Sequence, residues 1–346
     1  MKYSKLIHFF TIFIFVFSST QTSADQSLCQ LCTAVENNDV ELFSKLSEDK
    51  SKLSETNEKG TWPLFIALAK DNKKMAKMLI DAGADVNQMD ANGVTALIAT
   101  VMSDEPHFTR LLIEAGANPN IQSMNMKSNA LHIAAFQGRD RVFRELLKAK
   151  VDLELENETG MTALLLASTK SKRIVSMLLD AGANPNHVDD AAMAPIHQIV
   201  LLRDKKLVAK AIEAGADVNL VRHNGTTPLM LAAITKNNAS VIELLVEKGA
   251  NTNTKISLNG ITALHLAVTQ NRIKNIKKLL KLNADVDALD KQKRSPLFIA
   301  VGTRKLAAVK LLIEHGANPD LVDEDGKSPR DLAAGQAKVL ALFNER

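Results

Sequence analysis

From residue 60 to the end of the chain, two kinds of apolar pattern alternate. In the first, a Ser or Thr, often followed by Pro, heads a short run in which Leu and Ala share one face, as in "TTPLMLAA" (226–233) and "ITALHLAV" (261–268). A hydroxyl cap followed by a proline, whose missing N–H costs nothing in a first turn, predicts the start of a short helix. In the second, apolar residues fall three and four apart, as at Ile273, Ile276, Leu279 and Leu280, which predicts an amphipathic helix. A polar gap separates the two helices. A tail such as "LLIEAGANPN" (111–120) ends the second one.

The tail recurs as "IDAGADVN" (80–87), "LDAGANPN" (179–186), "IEAGADVN" (212–219), "VEKGANTN" (246–253) and "IEHGANPD" (313–320). With Trp62, Thr95, Asn129, Thr162, Ala194, Thr227, Thr262, Ser295 and Ser328 as equivalent anchors, successive spacings are 33, 34, 33, 32, 33, 35, 33 and 33. So regular a period predicts an array of one supersecondary unit, each copy relying on its neighbours to cover its apolar face. The glycines obey the same punctuation. Six of fifteen follow a second helix, where positive φ stops it at least cost, six sit two residues before an anchor, and Gly138, Gly302 and Gly335 fall in or near the gap between helices.

These phrases, at their best in "GITALHLAVTQNRIKNIKKLLKLNADVDALD" (260–290), resemble the ankyrin-repeat family, whose signature is T-P-L-H-x-A at a period of about 33. The resemblance implies an all-α solenoid of stacked helix-turn-helix units, with the segments between repeats projecting as β-hairpin-like fingers. It also implies a protein-binding scaffold whose concave recognition surface is the finger row plus the exposed side of the first helices. The expected division is a degenerate amino-terminal cap over 25–59, eight repeats over 60–325 and a polar carboxyl-terminal cap over 326–346. Lys150 and Asn283 stand where a stop glycine is expected; Asn tolerates left-handed geometry, whereas Lys there should be strained by about 1 kcal/mol. The connectors 121–128 and 254–260 are longer than the rest and are expected to bulge from the finger row.

Composition refines this picture. Aromatics make up 4% of the 346 residues and five of the twelve Phe precede residue 18, so the repeats must be packed with Leu, Ile, Val, Ala and Met. Residues 1–24 read as an export signal: Lys2 and Lys5, an apolar stretch from Leu6 to Phe17, and small residues before Asp25. The mature chain is therefore expected to be exported, periplasmic or secreted and of bacterial type, with no membrane span after signal removal. Beyond the leader the charge is dipolar, −6 over 25–160 and +8 over 161–346, with eleven Lys or Arg between Arg272 and Lys310. The carboxyl-terminal half accordingly suits an acidic partner. A polyanion or a membrane surface bound by Arg272–Lys310 is the alternative. Without Tyr as a stacking platform, nucleic acid is not expected as a partner.

Candidate chemistry is sparse. His132, His197 and His265 take the fourth position of the T-P-L-H phrase, where the family's histidine bonds backbone; two repeats apart, they lie too far from each other for one metal. "DEDG" (323–326) lacks the ligands of a calcium loop, and no nucleophile or phosphate motif occurs. No catalytic residue, metal or cofactor is expected. Cys29 and Cys32 form the one C-x-x-C, read as a local disulfide or paired thiols, an inter-chain link, or a redox site. The expected contact residues lie on or near the fingers: Met89, Met124, Met126, Met161, Met193, Arg222, His223, Ile256, Leu258, Lys291, Lys293 and Arg294. Asn157, Asn224 and Asn238 head N-x-S/T sequences, acceptors for a glycan if the exporting cell were eukaryotic.

Overall fold

Hydroxyl caps and stop glycines divide the chain into helix pairs, and the computed structural model, which describes residues 29–344, places a turn at each of them. The chain falls into two compact units, divided between Ala84 and Asp85. The expected leader, 1–24, lies outside the described residues.

The first unit holds α1 (Gln30–Glu36) and α2 (Val40–Leu46), a 3-10 turn over Lys50–Ser54, then α3 (Pro63–Ala69) and α4 (Lys73–Asp81). Its core is Leu31, Ala34, Val35, Leu64 and Leu79, all at most 1% exposed. Cys29 and Cys32 are joined as a disulfide, and both are buried at the start of α1.

The second unit repeats one motif. The pairs are α5 (Ala96–Met102) with α6 (Pro106–Glu114), α7 (Ala130–Gln137) with α8 (Asp140–Leu146), and α9 (Ala163–Ala167) with α10 (Lys172–Asp180). They continue with α11 (Pro195–Ile199) and α12 (Lys205–Glu213), α13 (Pro228–Ile234) and α14 (Ala239–Glu247), and α15 (Ala263–Thr269) and α16 (Ile273–Lys281). The series closes with α17 (Pro296–Gly302) and α18 (Leu306–Glu314), then α19 (Pro329–Leu332) and α20 (Ala337–Asn344). First helices pack on first helices and second on second, so the Leu and Ala of each pair close the core of the next. Thr95, Thr162, Thr227, Thr262, Ser295 and Ser328 each cap a first helix by accepting an N–H with the side-chain oxygen, a contribution of about 1 kcal/mol apiece. Ala194 has no such oxygen, and its own N–H is accepted by the His197 ring at 3.1 Å, as those of Asn129 and Thr262 are by His132 and His265.

The second helices stop in two ways. Gly116 has φ +86°, and the Ala117 N–H reaches back to Leu112 O at 2.9 Å, a pattern repeated at Gly83, Gly215 and Gly316. Asn283 takes the same left-handed conformation, φ 60°. Lys150 does not, which corrects the expectation of strain at that site. The α8 pair ends on tighter turns, Ala149 N–H to Leu146 O and Val151 N–H to Ala149 O, both about 3 Å. Val151 is half-buried where the corresponding alanines are buried.

Candidate partner-binding surface

The fingers are built from turn chemistry more than from sheet. Among the described residues no strand forms, and one isolated bridge pairs Met89 with Thr95. Each finger is closed by a backbone bond, Asp90 N–H to Val94 O, Asn157 to Met161, Asp189 to Met193, Arg222 to Thr226, Asp290 to Arg294 and Asp323 to Lys327, and in each the opening residue's carbonyl also accepts the N–H three residues on, as Asp90 O does from Gly93. Inside the turn the leading Asp or Asn oxygen accepts two further N–H groups, as Asp90 does from Asn92 and Val94 at 2.8 Å. The two long connectors close one residue later, Ser123 to Ser128 and Ile256 to Ile261. That extra residue lifts a large apolar side chain into solvent in both: Met124 is 68% and Leu258 82% exposed.

Neighbouring fingers touch through backbone. Met124 N–H donates to Asn92 O, Glu158 to Met126 O, Lys291 to Asn259 O and Glu324 to Gln292 O, at 2.9–3.1 Å. This approach explains Gly93 and Gly260, where a Cβ would come within 2.8 Å of the Met124 and Lys291 nitrogens. A second seam runs beneath, through the tails. Asn87 Oδ1 accepts the Asn118 N–H, Asn120 that of Asp152, Glu154 that of Asn184, Asn186 that of Asp217, Asn219 that of Asn251, Asn253 that of Asp285, and Asp287 that of Asn318, all between 2.7 and 3.0 Å. Asn186 and Asn219 also donate Nδ2 to the next stop glycine's carbonyl, at 2.7 and 2.9 Å. The signal for this ladder was in the sequence: the last residue of every tail is an oxygen acceptor, recurring once per repeat.

The expected contact residues divide by burial. Met89, Met124, His223, Leu258, Lys291 and Lys293 are exposed; Met126, Met161, Met193, Arg222, Ile256 and Arg294 are half-buried. Met193 Sδ accepts from Gln198 Nε2 at 3.6 Å, and Arg294 grips Asp290 through two nitrogens at 2.8–2.9 Å. These half-buried side chains brace the fingers more than they present a surface. Sequence reasoning missed Val188, Val221 and Val322, 41%, 50% and 51% exposed, each directly before the residue that opens a finger turn, the position Met89 also holds.

The basic segment is split among elements. Lys278 pairs with Glu243, Arg294 with Asp290 and Lys310 with Glu314, while Arg272 and Lys305 donate to the backbone carbonyls of Ile234 and Val268. Lys274, Lys277 and Lys281 are exposed on α16, and Lys291 and Lys293 on a finger. Asn157 and Asn238 are 5% and 1% exposed, and Asn238 Nδ2 is committed to Val200 O at 2.8 Å, so neither offers a free amide to a glycan; Asn224 is exposed.

The three T-P-L-H histidines link repeats. Nε2 of His132, His197 and His265 lies 2.9, 3.0 and 3.1 Å from the carbonyls of Leu155, Leu220 and Arg294. Burial pushes the His132 pKa down to about 4 against the opposing pull of the Leu155 carbonyl, and holds His197 and His265 below the ordinary imidazole value. All three rings are therefore neutral at pH 7. Glu145 lies between Arg110 and Lys148, and the Arg110 hydrogen bond foremost draws its carboxyl down to about 2.

Models of ankyrin repeats match residues 31–123, 109–189 and 196–290, and another ankyrin-repeat model matches 279–333. The chain belongs to the ankyrin-repeat family. An ankyrin repeat protein of fowlpox virus is 33% identical over 102 residues, and the nuclear factor NF-kappa-B p105 subunit of Gallus gallus is 31% identical over 182 residues. Those matches cover 30% and 49% of this chain but only 17% and 18% of the relatives. The bacterial source expected from the leader finds no support in these relatives. Among solved structures, the ankyrin repeat domain of Bcl-3 aligns with 66% of the chain at 25% identity and TM-score 0.55. That of human ASB11 aligns with 62% at 26% identity and TM-score 0.56, and each domain is itself 98% covered. Ankyrin repeats are protein-interaction modules, and this array is a scaffold of that kind. Among the described residues, no helix is long and apolar enough to cross a membrane.

Proposed function

We propose that this ankyrin array is a non-enzymatic scaffold that acts outside the cytoplasm and holds a partner protein with its finger tips and the inner faces of its first helices. One observation carries the reading: among the described residues the two enlarged fingers expose Met124 and Leu258 at 68% and 82%, more than any other large apolar side chain, the next being Val322 at 51%. Rigid backbone contacts between fingers hold these side chains without a large ordering cost on binding. The Cys29–Cys32 disulfide supports an oxidising compartment. A polyanion or membrane surface has less support, because the cations from Arg272 to Lys310 are spread over separate elements and several are already engaged.

Quantitative capture from the native host tests the reading. The doubly substituted Met124→Ser, Leu258→Ser chain should lose its partner by about tenfold at unchanged helicity, since exposed apolar anchors carry most interface energy. Equal capture by both chains would remove the finger-tip role. Binding that disappears at moderate salt would favour the polyanion instead. Export is tested by the mass of the secreted chain, which should begin at Asp25.

A further inference from the structure

We infer that the inner-helix trough of α9 to α17 is built for an amphipathic helix of a partner protein, with its acidic stripe turned toward the edge where the helix pairs reverse. This rests on the scaffold reading above and names the chemistry of the partner.

The floor of the trough is apolar. Four residues after their anchors, Leu231, Leu266 and Ile299 are half-buried, whereas Leu166 is buried and the fifth position is Gln198; three residues further Leu201 is 37% exposed and Ile234 half-buried. These residues occupy the side of the first helices that neither the second helices nor the next repeat covers. One edge of the floor is the finger row. The other is formed by the loops joining first to second helices, and it is basic: Lys170, Arg203, Lys236 and Arg304 are all exposed there. In those five loops the single acidic residue is Asp204, which is paired with Lys172 at 3.2 Å. Between Lys236 and Lys274 the edge is indented by a cleft of about 250 Å³, lined also by Asn237, Asn271 and Arg272, whose cations suit a carboxylate.

Spacing selects a helix as the occupant. Packed repeats advance about 10 Å each. A strand covers that in about three residues, an odd number that turns the next side chain to the opposite face. An α-helix covers it in about seven residues, two turns, and so returns an acidic side chain to the same edge at each repeat. Beside α9 and α11 the opposite, finger edge carries Glu156, Glu158 and Asp190, all exposed, which would repel an acidic stripe and so sets the rotation of the bound helix there, whereas beside α17 the finger edge carries the exposed Lys291 and Lys293.

The test uses the full chain and a fluorescein-labelled helical peptide of about three heptads with Leu on one face and a Glu stripe beside it, read by anisotropy at near-physiological salt. Saturable binding is expected, weakened about tenfold or more by Arg203→Glu with Lys236→Glu and several-fold by Leu201→Ser. The exposed pair Lys277→Glu, Lys281→Glu on α16 should change it little. Equal binding of the same peptide with a Lys stripe, equal loss in the α16 control, or displacement by heparin at the affinity of the peptide would each overturn the inference. So would absence of binding, and if capture of the native partner still depended on Met124 and Leu258, the scaffold reading would stand without it.

Discussion

At the scale of single residues, the positions that most limit this chain are those with a side chain in left-handed backbone. Nine fingers end on such a residue, and in most it is a glycine, but Ala192 has φ 53° and Lys127 and Lys293 have 46° and 57°. Ala192→Gly should raise stability by about 0.5–1 kcal/mol, seen as a higher urea midpoint at unchanged slope, because relief of the Cβ clash exceeds the added freedom of the unfolded chain. Lys150 is the counterexample. Its position in the tail suggests the same strain, yet its φ is negative and α8 stops by other bonds. Lys150→Gly should therefore lower the melting temperature, by the equivalent of about 0.4–1 kcal/mol, through unfolded-state entropy alone. A higher melting temperature would show strain at that residue.

At the scale of elements, helices and stops were legible in the sequence because each makes a local demand: a cap oxygen at Thr262, a positive φ at Gly116, an apolar face along α16. The two enlarged fingers were legible too, since an added residue shows as a longer spacing. The tail ladder left only a recurring oxygen acceptor in the sequence, which did not reveal the pairing, because Asn186 reads as a turn residue until its partner, Asp217, 31 residues on, is known to lie beside it. Nor could the sequence alone show that Met124, directly after the residue that opens its finger, is exposed whereas Met161, whose carbonyl closes its own, is half-buried. The ladder makes a measurable demand of its own. Asn186 both accepts from Asp217 N–H and donates to Gly215 O, so Asn186→Ala should cost about 1–2 kcal/mol in chemical denaturation. Asn253 makes only the accepting bond of the two, and Asn253→Ala should cost about half as much.

At the scale of the whole molecule, the array couples its repeats through groups that must stay neutral, and that sets how it responds to acid. His132, His197 and His265 occur in different repeats of the second unit, each buried and each bonded to a carbonyl of the following finger. Their folded pKa values lie below the unfolded value of 6.5, with His132 at about 4. Between those limits the unfolded chain binds more protons than the folded one, so this contribution is complete above pH 6.5 and is lost as pH falls toward 4. For His132 the full loss is on the order of 3 kcal/mol. Glu145, with its pKa lowered to about 2, adds a further decline that begins only near pH 4.5. Because no repeat is stable alone, protonation at one histidine loosens the seam to the next repeat, and the three sites should act on one cooperative transition. Urea midpoints recorded from pH 7.5 to 4.5 should therefore fall steadily, and His132→Gln, though less stable at pH 7.5, should show a shallower slope. A parallel slope in that variant would mean that the acid response does not originate in the His132 ring.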